Sequence, residues 1–196
     1  MPSVIKKDDG RIKNRLIPIM ELWAQSGQHH KIAMVGSSML PYFMAGDQLC
    51  VSHENSDLNV GDVITFYKNN AHVAHRIIQI RDQSDRSTII TKGDNAKRVD
   101  APLNPSEIIG RVSAVIRNEK SMNLDSFAWK ILGRLIVYTT HIRLERKRMR
   151  HADIAAPVSA LRLRFRQNLL RSFAFVVNRA IKALGPVACR FRPLKG

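Results

Sequence analysis

The chain has 196 residues, 44% of them apolar and 24% charged, which suits one globular domain with an appendage and excludes a disordered or fibrous protein. Its formal net charge is +16, unevenly placed: residues 1–124 hold 16 Lys and Arg against 13 Asp and Glu, and residues 125–196 hold 16 against 3, so the parts carry +3 and +13. Only two cysteines occur, Cys50 and Cys189, with no CxxC spacing; this excludes a disulfide framework and a cysteine metal site, and fits a reducing compartment.

Residues from about Arg11 to Gln28 read as an amphipathic helix, with Ile12, Leu16, Ile19, Met20 and Trp23 at spacings of three and four and Gly27 as its cap. Such a helix ordinarily packs on a neighbouring domain. Lys6 and Lys7 run at once into Asp8 and Asp9, and the apolar run Leu16 to Met20 is too short for a secretory signal.

From about Lys31 to Arg117 the pattern turns to short Val- and Ile-rich runs between turn residues. Expected strands are Ile32 to Val35, Gln48 to Val51, Val63 to Tyr67, Val73 to Ile80, Ser87 to Thr91 and Ile108 to Ile116, with Lys68-Asn69-Asn70 as a hairpin turn. Strands this short and this closely spaced predict a compact, mostly antiparallel β unit.

From about Ser126 the period is helical again. Ile131 to Ile142 is its most apolar run, interrupted by Arg134 and too short to span a bilayer. After a break at His151 to Pro157, Leu161, Phe165, Leu169, Phe173 and Val176 form an apolar stripe flanked by Arg162, Arg164, Arg166 and Arg171. This predicts three segments: an N-terminal helix over 1–30, a β domain over 31–118 and a basic helical tail over 119–196. The tail either packs on the β domain with solvated arginines or meets an anionic partner. Its aromatics lie on the apolar stripe and not among the arginines, which favours an anionic membrane surface over nucleic acid.

The chemistry concentrates in Gly36-Ser37-Ser38-Met39-Leu40-Pro41, followed at fixed intervals by Gly46-Asp47 and Val51. A serine directly after a strand, in a Gly- and Ser-rich turn, is held on a rigid edge where its own N–H can serve an oxyanion. A lone GxSM is a weak signal, and a turn serine is the ordinary reading. Three further boxes follow in order: Gly61-Asp62-Val63-Ile64, Val73-Ala74-His75-Arg76-Ile77, and Thr91-Lys92-Gly93-Asp94-Asn95 with Asp100 six residues past Asp94. Ile109-Gly110-Arg111-Val112 closes the series.

This series, over roughly Lys31 to Arg117, resembles the signal peptidase I and LexA-type serine peptidase superfamily. At the second site, bacterial signal peptidases and LexA-type proteins carry lysine, whereas archaeal, endoplasmic-reticulum and some Gram-positive-type signal peptidases carry histidine followed by Arg. His75-Arg76 is the histidine form. The resemblance implies the superfamily's β fold, Ser38 as nucleophile and His75 as general base, since serine needs an adjacent base near neutral pH. It implies Asp100 as the carboxylate that orients His75, and Asp94 as a brace of the loop. Gly36 stands where some relatives carry a second oxyanion-binding serine, so a backbone-only oxyanion hole is expected.

The expected function is therefore serine endopeptidase action on an extended protein or peptide substrate, often after small residues such as Ala, with no metal or organic cofactor. A signal peptidase reaches its substrates through its own membrane anchor, and none is visible here. The expected setting is cytoplasmic, or peripheral on the inner membrane face, with a dedicated substrate. Two alternatives stay open: a LexA-like self-cleaving regulator and a non-catalytic binding module on the same fold. Against the first stand the roughly 35 residues before Gly36, which show no second helix for a helix-turn-helix, and the lack of an Ala-Gly or Cys-Gly site there.

Overall fold

The computed structural model describes residues 30–53, 57–68, 71–83, 86–152, 175 and 177–193. The helix expected over Arg11 to Gln28 and the stripe of Leu161, Phe165, Leu169, Phe173 and Val176 lie outside the described residues; of the break expected at His151 to Pro157, His151 and Ala152 are instead helical and residues 153–157 lie outside the described residues.

Among the described residues eight strands form one antiparallel sheet: β1 (His30–Ala33), β2 (Gln48–Ser52), β3 (Val63–Lys68), β4 (Ala71–Gln83), β5 (Arg86–Lys92), β6 (Ile108–Arg117), β7 (Lys120–Asn123) and β8 (Arg192–Pro193). The order is β1-β2-β6-β3-β4-β5, with β7 pairing both β6 and β8. Among the described residues two α-helices accompany them, α1 (Phe127–Ala152) and α2 (residues 177–188). The fold is mainly β with a helical extension.

The central strand β3 lies between β6 and β4, and Val63, Ile64, Thr65 and Phe66 are all at most 1% exposed. Burial on both faces explains why Val63, Ile64 and Phe66 do not alternate with exposed polar residues, and the hydroxyl of Thr65 is satisfied by donating to Gly110 O at 3.3 Å. Ile64 and Phe66 pack with Ile77, Ile89, Leu103 and Ile108. Val63 packs with the cluster that holds Met39, Phe43, Leu49, Val51, Val112 and Val115.

The strand expected over Ile32 to Val35 ends at Ala33. Met34 leaves the ladder because its N–H donates to Asp47 O at 2.8 Å and its carbonyl accepts from Gly46 N–H at 2.8 Å. Strand β4 runs to 13 residues, longer than the apolar run Val73 to Ile80 suggested, with a register shift between Ile77 and Gln79. Strand β7 was not expected. It follows a two-residue turn, Asn118 and Glu119, with φ of 47° and 59° and Arg117 paired with Lys120. Positive φ at both positions is the type I′ geometry that matches strand twist, and without a glycine the sequence gives little sign of it.

Helix α1 and residues beyond it contribute to the main core. Met122, Leu124, Trp129, Leu132, Ile136 and Ala188 are buried in the same cluster as Met39 and Phe43. Trp129 stacks on Phe43 with centroids 5.7 Å apart and meets Tyr42 edge-on at 5.9 Å. Helix α1 crosses the Gly61 turn at backbone distance: a Cβ on Gly133 would sit 2.7 Å from Gly61 O, and one on Gly61, whose φ is +104°, would sit 3.2 Å from Arg134 N. Two glycines permit that approach. Among the described residues no helix is long and apolar enough to cross a membrane.

Candidate active site

Ser38 sits in the turn after β1, and the turn is anchored on both sides. Met39 and Phe43 are fully buried, so the chain just past Ser38 is pinned into the core. Asp47, 1% exposed, accepts from Met44 N–H at 2.7 Å and takes both prongs of Arg117, Nε at 2.6 Å and Nη2 at 2.7 Å. Opposite, the Asn95 N–H donates to Ser38 O at 2.7 Å and its side-chain amide to Ser37 O at 3.3 Å. The Ser38 N–H makes no main-chain hydrogen bond among the described residues.

Strand alternation sends His75 and Arg76 to opposite faces of β4. His75 is 8% exposed, lies edge-on to Phe66 at 6.0 Å, and brings Nε2 to 3.1 Å from Ser38 Oγ. Its Nδ1 is 2.5 Å from Asp100 Oδ2. With Nδ1–H donating to the carboxylate, Nε2 is left to accept from the serine hydroxyl. Asp100 returns to the site because its N–H donates to Thr91 O at 3.0 Å, which lays the segment after the Gly93 turn back against the end of β5.

The Asp100 carboxylate also accepts from Thr91 Oγ1 at 2.9 Å and Lys68 Nζ at 2.8 Å. Burial works to raise its pKa, but the hydrogen bonds from His75, Lys68 and Thr91 outweigh that and hold it at about 2. It is therefore ionised at neutral pH.

Asp94 does not touch the imidazole. Arg76, with 0% exposure, takes it by Nε at 2.9 Å and Nη2 at 2.7 Å, and donates Nη1 to Gly61 O at 2.7 Å. The guanidinium carbon lies 5.4 Å from the Trp129 ring centroid. Asp94 thus ties the turn between β5 and Asp100 to a buried cation that α1 covers. Gly93, beside it, leaves no room for a side chain: a Cβ there would lie 2.7 Å from Ser38 O and 2.9 Å from His75 Nε2.

Beside Ser38 and His75 opens a cavity of about 610 Å³ lined mainly by apolar groups, among them Ile32, Ala33, Val35, Leu49, Ala71 and Ala74. Strand β1 ends the sheet order, so its outer edge carries no partner strand among the described residues. Among these residues no group of three or more His, Cys, Asp and Glu could hold a metal.

The structure brings Ser38, His75 and Asp100 into one hydrogen-bonded line and sets Asp94 to one side on Arg76. Lys68, Thr91 and Asn95 were not singled out by sequence reasoning. Thr91 and Asn95 lie within a quoted box and so had a signal, whereas Lys68, read as part of a turn, had none.

A serine hydroxyl on an imidazole whose other nitrogen meets a carboxylate is the arrangement that serine peptidases use. No protein-family model matches the chain. Curated proteins do: it is 36% identical over 80 residues to signal peptidase I W of Bacillus subtilis, covering 39% of this chain and 42% of that protein. It is 38% identical over 74 residues to the signal peptidase complex catalytic subunit of Dictyostelium discoideum, covering 36% and 41%. With the corresponding subunit of Scheffersomyces stipitis it shares 30% over 66 residues, covering 33% and 40%. These similarities put the matched stretch in the signal peptidase I superfamily, of the endoplasmic-reticulum-like type. The chain spans between 40% and 53% of the length of the curated relatives it matches.

Proposed function

We propose that the protein is a serine endopeptidase of signal-peptidase type, acting through Ser38, His75 and Asp100. The observation that carries this is the line from Ser38 Oγ through His75 to Asp100, with separations of 3.1 and 2.5 Å. In the acylation step Ser38 Oγ attacks a peptide carbonyl carbon while His75 Nε2 takes the hydroxyl proton. The oxyanion so formed takes a hydrogen bond from the Ser38 N–H. His75 then gives its proton to the departing amine as the C–N bond breaks, leaving an acyl ester on Ser38. Water, deprotonated by the same imidazole, hydrolyses that ester. Asp100 keeps the proton on Nδ1 and stabilises the imidazolium.

The substrate is an extended peptide that adds to the outer edge of β1, with small apolar side chains entering the cavity between Ala33, Ala71 and Ala74. Asp94 acts through Arg76 and touches no reacting atom.

The test is incubation of the full chain with a peptide library carrying Ala and other small residues, read by mass spectrometry, beside the Ser38→Ala and His75→Ala proteins. Cleavage after small residues that both substitutions abolish is expected. Cleavage that survives Ser38→Ala would overturn the assignment. A folded protein with neither cleavage nor labelling of Ser38 by a fluorophosphonate would leave a binding module on this fold.

A further inference from the structure

We infer that Lys68 is a positioning residue of the same site: its ammonium, on the outer oxygen of Asp100, fixes the carboxylate against the His75 ring and offsets part of the carboxylate's charge there. This rests on the peptidase reading for its meaning, but not for its measurement.

The three contacts to Asp100 divide between its two oxygens. Oδ2 faces inward and is shared by His75 Nδ1 and Thr91 Oγ1, while Oδ1 is taken by Lys68 Nζ at 2.8 Å. The Asp100 side chain is 7% exposed, whereas that of Lys68 is 45% exposed and reaches the carboxylate from the cavity beside Ser38. Lys68 closes β3 and pairs with Ala71 at the start of β4, so the hairpin itself sets the ammonium opposite the returning segment that carries Asp100. A carboxylate with one oxygen held on a cation and the other on a hydroxyl cannot rotate away from the ring. It is also half-neutralised, which weakens its pull on an imidazolium.

The other charged groups near His75 do not duplicate this contact. From β4, Arg76 lies on the opposite face and is spent on Asp94. His72, also from β4, lines the cavity and meets Tyr67, and its pKa is lowered by burial and by His30 of β1. From β5, Lys92 donates to Gly93 O, and burial lowers its pKa. Among the described residues Lys68 is the cation in hydrogen-bond contact with the oriented carboxylate.

The experiment uses the full chain and a small fluorophosphonate, which modifies serine without filling the substrate groove, so that a role in substrate binding does not enter. Labelling rate is followed against pH for wild type, Lys68→Met and Lys68→Arg, with the histidine 15N titration read by NMR on the same samples. In Lys68→Met the acid limb moves to higher pH by roughly half a unit to one unit, the size expected of one half-screened charge. In Lys68→Arg, which keeps the charge, it stays in place. Added salt moves the wild-type limb in the same direction as the Met variant, because the ammonium is partly exposed.

A limb that does not move in Lys68→Met, whether or not the plateau falls, overturns the proposal. So does an equal movement in both variants, which would assign the effect to side-chain shape. If Ser38 in the wild type does not react at all, the peptidase reading fails, while the histidine titration still decides the Lys68 relation.

Discussion

Arg76 and Asp94 form a two-pronged ion pair inside the molecule, with guanidinium-to-carboxylate distances of 2.9 and 2.7 Å and no exposure of the arginine. The pair joins the strand that carries His75 to the turn that carries Gly93 and Asn95, and Trp129 of α1 covers it. A buried charge tolerates pairing far better than isolation, so each partner depends on the other.

Asp94→Ala therefore leaves an uncompensated buried cation and should cost about 3 kcal/mol or more. For a chain of this size that is a fall in Tm of roughly 6–12 °C. Urea unfolding monitored by Trp fluorescence checks it. A loss below about 1 kcal/mol would mean that water reaches Arg76 when Asp94 is gone.

Gly93→Ala tests the closeness of the turn to Ser38. The new methyl would have to displace the Ser38 carbonyl or the His75 ring, at 2.7 and 2.9 Å. A displacement near 1 Å suffices to lower Ser38 reactivity by on the order of 10²-fold, with the β fold retained. Fluorophosphonate labelling beside circular dichroism reads both. Near wild-type labelling would show that the turn moves freely.

Asp100 has a pKa near 2 in the folded protein, below the value of about 3.9 of a free side chain. A depressed pKa adds stability that is complete above the unfolded value and is lost as pH falls from about 4 towards 2. The urea midpoint should therefore drop across that window in the wild type and drop less in Asp100→Asn. The same variant should react at Ser38 on the order of 10³–10⁴-fold more slowly, because an amide can hold the imidazole in the wrong tautomer. An unchanged acid profile in Asp100→Asn would remove Asp100 as its source.

Trp129→Ala tests whether α1 is part of the core that supports the site. Trp129 is 2% exposed and touches Phe43, Tyr42 and Arg76. Its loss should cost about 3–5 kcal/mol. It should also slow Ser38 labelling, since Phe43 and Arg76 anchor the two loops that meet at the serine. A protein as stable as wild type would mean that the helix rests on the sheet without supporting it.

Much of the β unit is legible in the residues alone. Val63, Ile64 and Phe66 put apolar groups on both faces of one strand, with Thr65 as the single polar residue between them, and the Gly-Asp pairs mark the turns. Ser38, His75, Asp94 and Asp100 are legible as candidates because each lies in a local box at set spacing. Boxes describe the chain next to a residue, which is why they identify turns, strands and candidate side chains.

What they do not describe is which distant groups meet. Asp94 and Asp100 are six residues apart and chemically alike; one lies on Arg76 and the other on His75 only because strand alternation opposes those neighbours and the Thr91 carbonyl draws Asp100 back. Lys68 looks like a turn residue until the β3–β4 hairpin sets it against Asp100. Trp129 reads as one apolar residue of a basic tail until α1 crosses the Gly61 turn and lays it on Phe43. Periodicity assigns a residue to a face of its own element. Only the packing of one element on another, set by two glycines and a buried arginine here, decides what that face will touch.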